Sequence, residues 1–438
     1  MTAGAFSVGG GVRKSPPGSF LAPTREVLAS GVTVLAKRTS TTPAVTLIAN
    51  IRAGSARDTA PHQGLAHFAS RTIDRGTDRH SADELAEQLD NRGVTLSTSV
   101  NRHLLSLSCT CLVEDVDDVL RLVAEIVKQP AFPSIEVDRR RGEIITLIRQ
   151  DEDNPAAVAG ETLMSMLYGT GHPYGRRLRG TVDSVERVDR RTLQQFHSTY
   201  CVPTGMSLAV VGDIEPARAI DAARAMFDDW SGPTAAEVTD APMPRRAGRH
   251  CRVVPMMNKS QTDIAYGFAT IARQDASYHA YALMNNILGQ YSLGGRLGDS
   301  IREQQGMAYY VYSSLEANLM PGPLVIRAGV SAVNVARAVA SIDTELRKLV
   351  ESGPTEQELI ESKQYLIGSM PRTLETNIGI ATYLQTVEFF GLGLDYDVRL
   401  PDLLRSVTHE QVHEAARQAT DPDHATVVVA GPFEGTLA

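Results

Sequence analysis

Two stretches of this chain repeat each other at one fixed distance. Val188-Asp189 opens a helical run, and Val407-Thr408 opens another 219 residues later. Ala209-Val210-Val211-Gly212-Asp213 reads as a buried strand ending in glycine. Val427-Val428-Val429-Ala430-Gly431-Pro432 reads the same way, with Gly431 again 219 residues after Gly212. Pro133-Ser134-Ile135-Glu136 and Pro354-Thr355-Glu356-Gln357-Glu358 each open a long helix. A spacing held across helix and strand alike points to internal duplication, so the chain must fold in the same way twice. Within each copy, alternating strands are mixed with amphipathic helices. The fold class that follows is α+β, with two homologous halves, each a mostly antiparallel sheet with helices packed on one side.

A length of 438 residues suits two to three domains, and 42% hydrophobic residues suffice to bury them. The boundaries read as a flexible N-terminal arm over 1–20, rich in Gly and Pro, then a first domain over 21–232. The aperiodic stretch 233–249, rich in Pro, Ala and charge, is the linker, and 250–438 is the second domain. Within the first domain, Ser81 and Glu84 form a capping box at a helix start.

A net charge of −8 and the lack of a long basic block argue against nucleic acid. No apolar run approaches the length of a membrane span, and the N-terminus lacks the apolar middle of a signal peptide. The cysteines are Cys109, Cys111, Cys201 and Cys251. None forms a C-x-x-C pair, and Cys109 and Cys111 fall on one face of a strand as core thiols. This usage fits a reducing compartment, and the expected location is cytoplasmic.

The most informative short stretch is Gly64-Leu65-Ala66-His67-Phe68-Ala69-Ser70-Arg71-Thr72-Ile73-Asp74-Arg75-Gly76-Thr77. Its apolar spacing is helical, so positions 67 and 71 share a face one turn apart. An inverted zinc motif, H-x-x-E-H, needs histidines at those two places and a glutamate general base at position 70. The frame resembles the pitrilysin/insulinase metallopeptidases, nearest the mitochondrial-processing-peptidase branch, which reads G-x-A-H-F-x-E-H. The chemistry of the motif is absent. Ser70 stands at the base position and Arg71 at the second histidine. The third ligand of the family, a glutamate about 76 residues on, falls near Leu147. Of the four positions only His67 is kept, and one imidazole does not hold zinc, which takes at least three protein ligands. The bland reading of His67 is an ordinary helix histidine.

Arg302-Glu303-Gln304-Gln305-Gly306-Met307-Ala308-Tyr309 is similar to the family element R-E-x-x-G-x-A-Y. The resemblance implies that Arg302 and Tyr309 orient the substrate and stabilise its developing oxyanion at a zinc site. Read without the family, Arg302 pairs with a nearby carboxylate and Tyr309 is core. Upstream, Gly289, Gly294 and Gly295 lie where the branch has a glycine-rich substrate loop. Glycines also suit a plain helix end. His409-Glu410-Gln411-Val412-His413 is a literal H-E-x-x-H, the direct zincin pattern. No third ligand follows at metzincin spacing, and Thr408 with Gln411 forms a capping box, so the match reads as chance on a solvated helix. His172-Pro173-Tyr174-Gly175 is shared with the family and reads as a structural loop.

The resemblance implies a non-catalytic, substrate-binding subunit of a heteromeric zinc peptidase. Such a subunit binds no metal itself and supplies Arg302 and Tyr309 to a homologous partner that carries an intact H-x-x-E-H and the zinc. The substrate is a peptide or unfolded segment held along edge strands. Three alternatives stay open: a structural or peptide-binding scaffold, a stand-alone peptide-binding homodimer, and a peptidase using His409 and His413.

Overall fold

The structure, a computed structural model, describes residues 21–236, 248–290 and 295–437, with the backbone of 13–14. Most of the expected linker 233–249 and of the expected arm 1–20 lies outside the described residues.

The first sheet contains β1 (Arg13–Lys14), β2 (Thr24–Val27), β3 (Thr33–Arg38), β4 (Ala44–Ile51), β5 (Ser97–Val100), β6 (Leu105–Leu112) and β7 (Met206–Gly212). The second contains β8 (His250–Pro255), β9 (Thr262–Ala269), β10 (Ala308–Leu315), β11 (Pro323–Val330) and β12 (Thr426–Gly431). The helices of the N-terminal half are α1 (Leu65–Thr72), α2 (Ala82–Asp90), α3 (Val116–Lys128), α4 (Ser134–Glu152), α5 (Pro155–Tyr168), α6 (Val182–Glu186), α7 (Arg190–Tyr200) and α8 (Pro216–Phe227). Those of the C-terminal half are α9 (Tyr278–Asn285), α10 (Val335–Ser352), α11 (Glu356–Thr373), α12 (Asn377–Phe390), α13 (Tyr396–Ser406) and α14 (His409–Ala419).

Strand order carries the duplication. The first sheet runs β1-β2-β3-β7-β4-β6-β5 and the second runs β10-β11-β9-β12-β8. Read from β3, the first matches the second read from β8: β3-β7-β4-β6-β5 against β8-β12-β9-β11-β10. β3 pairs with β7 in parallel, as β8 does with β12, and the remaining pairs are antiparallel in both sheets. The two α+β halves and their repeat are therefore as the spacing predicts.

The compact units do not follow the halves of the chain. One comprises Met1–Ile144, Leu178–Val238 and Pro371–Val398; the other comprises Ile145–Arg177, Thr239–Met370 and Arg399–Ala438. One helix has been exchanged in each direction. In the first unit, α12 from the C-terminal half lies against β4 and β7. Gln385 of α12 donates to the carbonyls of Ile48 and Ser207 at 2.7 and 3.1 Å, and Arg25 grips Glu388 through two 2.8 Å bonds. In the second unit, α5 from the N-terminal half lies against β9 and β12. It comes close because β9 offers Gly267, where a Cβ would sit 2.9 Å from Leu163.

The burial pattern gives the reason. β6 alternates buried and part-exposed residues, so only one of its faces is covered. β4, β9 and β12 are buried almost end to end, which needs cover on both faces. Each half's own helices, such as α3 and α8 in the first, cover one face, as the sequence reading has it; the exchanged helix covers the other.

The four cysteines are unpaired. Burial pushes the Cys109 and Cys201 thiols up to about 12 and the Cys111 thiol to about 11, so they rest as core thiols rather than nucleophiles. Among the described residues, no helix is long and apolar enough to cross a membrane.

Candidate functional site

Helix α1 is set by a buried acid. Asp58 is 4% exposed, and its carboxylate accepts the backbone N–H groups of Gly64 at 2.8 Å and Ala66 at 2.9 Å. It satisfies donors that the helix start leaves open and faces the positive end of the helix dipole. Gly64 sits at φ +85°, and a Cβ there would fall 2.3 Å from the carbonyl oxygen of Arg179. Glycine is therefore required at the entry to the helix. Phe68 is fully buried, with the Arg141 guanidinium 5.9 Å from its ring centroid.

On this frame the motif positions take up other tasks. Ser70 is 1% exposed and turns back on its own helix, donating to the His67 carbonyl at 2.8 Å. A hydroxyl so placed is no substitute for a glutamate base. Arg71 points its Nη2 toward Glu143 of α4 at 3.8 Å, with both side chains over a third exposed. Glu143 also pairs with Arg140, which is largely buried. Leu147 lies one turn further along α4, so the acid that meets α1 is Glu143, four residues before the position of the family ligand. Burial pushes the Asp74 carboxyl above its usual range, against the pull of Arg75, Arg140 and Arg71. The degenerate motif is thus a network of paired charges between α1 and α4. Among the described residues, no three His, Cys, Asp or Glu side chains come together in a metal-holding group.

The Arg/Tyr element lies in the second unit. Arg302 sits in the helical turn Gly298–Gln304, anchored by buried Ile301 and followed by buried Met307. Its side chain is 42% exposed, with Glu303 3.7 Å away. Such a pair at the surface holds the guanidinium weakly. Tyr309 is 67% exposed. It owes this to a β-bulge: Ala308 pairs with Val330 and Tyr310 with Gly329, so Tyr309 is the extra residue on β10. A bulge leaves its extra residue unpaired and re-aims the side chain. The core reading of Tyr309 does not survive this exposure. Nothing in the sequence marks the bulge.

The remaining candidates have structural surroundings. Gly289 and Gly295 pack on one another, since a Cβ on Gly295 would lie 2.8 Å from the Gly289 Cα; a Cβ on Gly289 would meet the Ser313 nitrogen of β10 at 3.1 Å. Gly294 lies outside the described residues. In α14, Thr408 and Gln411 form the expected capping box. His413 Nε2 lies 2.8 Å from the carbonyl of Val350, and His409 Nε2 meets the carbonyl of Pro354. A carbonyl only accepts, so both Nε2 atoms carry the proton and have no lone pair for a metal. Arg417 donates to His413 Nδ1 at 3.1 Å. This pair closes the C-terminal end of α10 rather than a metal site. His172 is buried and accepts the Tyr174 amide through Nδ1 at 3.0 Å, which makes its loop a local cap.

Residues 33–182 match the family described as insulinase (peptidase family M16), and residues 187–366 match the peptidase M16 inactive domain. The chain belongs to the M16 peptidase family. A Bacillus subtilis relative described as an uncharacterized zinc protease, YmxG, is 24% identical over 401 residues, covering 91% of this chain and 96% of the relative. A Helicobacter pylori relative described as a non-peptidase homolog, YmxG, is 21% identical over 388 residues, covering 86% and 87%. The crystal structure of a peptidase M16 inactive domain from Pseudomonas fluorescens superimposes with a TM-score of 0.85 at 26% identity, over 95% of this chain and all of that one. A protease from Helicobacter pylori shares the fold, with a TM-score of 0.85 at 17% identity, over 94% of this chain and 100% of that one. The protein is an M16 chain of the inactive type, related to zinc-protease-like proteins, with Ser70 and Arg71 inside its insulinase-matched region.

Proposed function

We propose that this chain is the non-catalytic, substrate-binding subunit of a heteromeric zinc metallopeptidase. Its partner is a homologous M16 chain that carries an intact H-x-x-E-H and holds the zinc. This chain contributes Arg302 and Tyr309, and the substrate is a peptide or unfolded protein segment. The observation that carries this reading is the exposure of Tyr309 on its bulge, which leaves the hydroxyl free to meet a group outside its own unit.

The chemistry follows from the residue types. As a zinc-activated water attacks a peptide carbonyl, negative charge grows on the carbonyl oxygen. A phenol hydroxyl and a guanidinium aimed at that oxygen act most strongly in the transition state, so they raise kcat more than they tighten binding. The site of this chain supplies no base, because Ser70 is bonded to its own helix and Arg71 carries a fixed positive charge. Three buried free thiols support a reducing, cytoplasmic setting. The test is reconstitution with a homologous chain bearing the intact motif. Peptide cleavage should require both chains and should collapse in the Tyr309→Phe variant.

A second reading has a specific observation behind it. The Helicobacter pylori relative is described as a non-peptidase homolog. A scaffold or peptide-binding role without proteolysis would keep the fold and make Arg302 and Tyr309 dispensable, and the same reconstitution separates the two.

A further inference from the structure

Where α1 meets α4 in the first unit, positive charge exceeds negative. Glu143 is shared by three arginines. Arg140 holds it directly, Arg71 Nη2 lies 3.8 Å from the same oxygen, and Arg139 Nε lies 3.6 Å from the other. Glu136 is shared in turn by Arg139 at 3.8 Å and Arg140 at 3.7 Å. Asp74 has Arg75 at 3.2 Å and also feels Arg71 and Arg140. The cations are Arg71, Arg75, Arg139 and Arg140, and the acids are Asp74, Glu136 and Glu143, which leaves one positive charge over.

The surplus sits on the outside of the cluster. Arg140 and Glu136 are nearly buried, whereas Arg71 and Arg139 reach solvent, the latter with 65% of its side chain. Arg140 takes the close contact with Glu143, and the two outer guanidinium groups are left at distances too long for hydrogen bonds. Arg71 Nε is buried with no partner, and neither Arg71 nor Arg139 makes a hydrogen bond among the described residues. Both groups nevertheless stand within 4 Å of one carboxyl, so the chain itself brings two open donor forks, one from each helix, to a single place.

A guanidinium fork matches a carboxylate, and contacts of this length forgo that pairing. We propose that Arg71 and Arg139 form a subsite for an acidic side chain of the bound peptide. This rests on the peptide-binding reading above and adds the substrate class, an unfolded segment carrying a glutamate or aspartate. One carboxylate closes the charge count. A segment within a longer protein has its C-terminus elsewhere, so the carboxylate is a side-chain one. Glu143 competes with it for both arginines, which keeps the empty subsite from facing solvent as two bare cations. Arginine at position 71 thus puts a fixed cation where the zinc motif calls for a metal ligand, and its counterpart is an anion on the substrate.

The test is calorimetric titration of the full chain with capped peptides in which one glutamate is moved along an otherwise uncharged sequence, each beside its glutamine counterpart. At one position the glutamate peptide should bind about five- to tenfold more tightly at low ionic strength, the scale of one part-exposed ion pair, and the preference should shrink with added salt. It should vanish in Arg71→Gln and fall in Arg139→Gln, a largely exposed site whose substitution leaves the fold in place. It should grow in Glu143→Gln, which removes the internal competitor; a merely structural charge network gives no such opposite signs. Glutamine peptides should bind all four proteins alike. Equal binding of glutamate and glutamine at every position overturns the subsite and leaves the peptide-binding reading standing, and so does a preference that survives both arginine substitutions. Binding of no peptide overturns both.

Discussion

Acid should weaken the first unit through one histidine. His103 is 3% exposed in the turn between β5 and β6, where Asn101 Oδ1 accepts its amide and that of Leu104 at 2.8 Å. Gly54 closes directly over it; a Cβ at Gly54 would lie 2.3 Å from the His103 carbonyl carbon. Burial first, then the positive charges of Arg57, Arg102 and Arg52, lower its pKa from 6.5 to about 4. Between those values the unfolded chain binds a proton that the folded chain refuses. Stability from this residue is therefore complete above pH 6.5 and is lost as the pH falls toward 4. At about 1.4 kcal/mol per pKa unit, the loss comes to roughly 3 kcal/mol. The single tryptophan, Trp230, reports on the same unit, its ring 6.2 Å from that of Phe227. Urea unfolding followed by Trp230 fluorescence from pH 7 to 4, on the wild type and on His103→Gln, isolates the term, because carboxylate contributions are common to both. The wild type should lose about 3 kcal/mol more than the variant across that range. Parallel pH profiles would refute the argument from burial and neighbouring charge.

Three further outcomes follow from the structure. His409→Ala with His413→Ala removes two bonds to the carbonyls at the end of α10; it should cost roughly 1–3 kcal/mol in urea unfolding and leave metal content unchanged. A zinc equivalent lost with these histidines would revive the zincin alternative. Asp58→Ala strands two buried amides at the start of α1 and should destabilise the first unit by about 2–4 kcal/mol, read by Trp230; a change under half that would mean that water reaches the helix start. The purified chain should carry no stoichiometric zinc by elemental analysis, and one zinc per chain that disappears in His67→Ala would sink the reading of Ser70, Arg71 and Leu147.

The duplication was legible because glycine-ended strands and helix starts keep their spacing whatever packs on them. The exchange of α5 and α12 was not. The run Val45-Thr46-Leu47-Ile48-Ala49-Asn50-Ile51 says that β4 is buried, but no local pattern says which helix covers the second face, and Gln385 bonds to the Ile48 carbonyl 337 residues away in sequence. The lost zinc motif could be read directly, since the chemistry depends on residue type. Its replacement could not, because Glu143 is one of many acids on α4 and only the packing of α4 on α1 brings it to Arg71. His409 and His413 show the same limit. The capping box of their own helix is local, whereas the carbonyls they serve belong to residues 55 and 63 positions earlier. Tyr309 was singled out by family resemblance alone; its exposure comes from one unpaired residue on β10, which alternation of residue types does not reveal.

The central claim is that Arg302 and Tyr309 act on a substrate held at the zinc of a partner chain. Steady-state peptide cleavage by the reconstituted pair tests it, with zinc content and dimer affinity measured on each variant. Tyr309→Phe removes one exposed hydroxyl and little volume, so assembly and metal should be unchanged. Turnover should fall by about 100- to 1000-fold, the usual loss for one oxyanion donor. Arg302→Ala should lose turnover on a similar scale, with an added rise in KM if the guanidinium also grips the substrate main chain. Turnover at the unmodified rate in both variants would contradict the claim and leave the scaffold reading in its place.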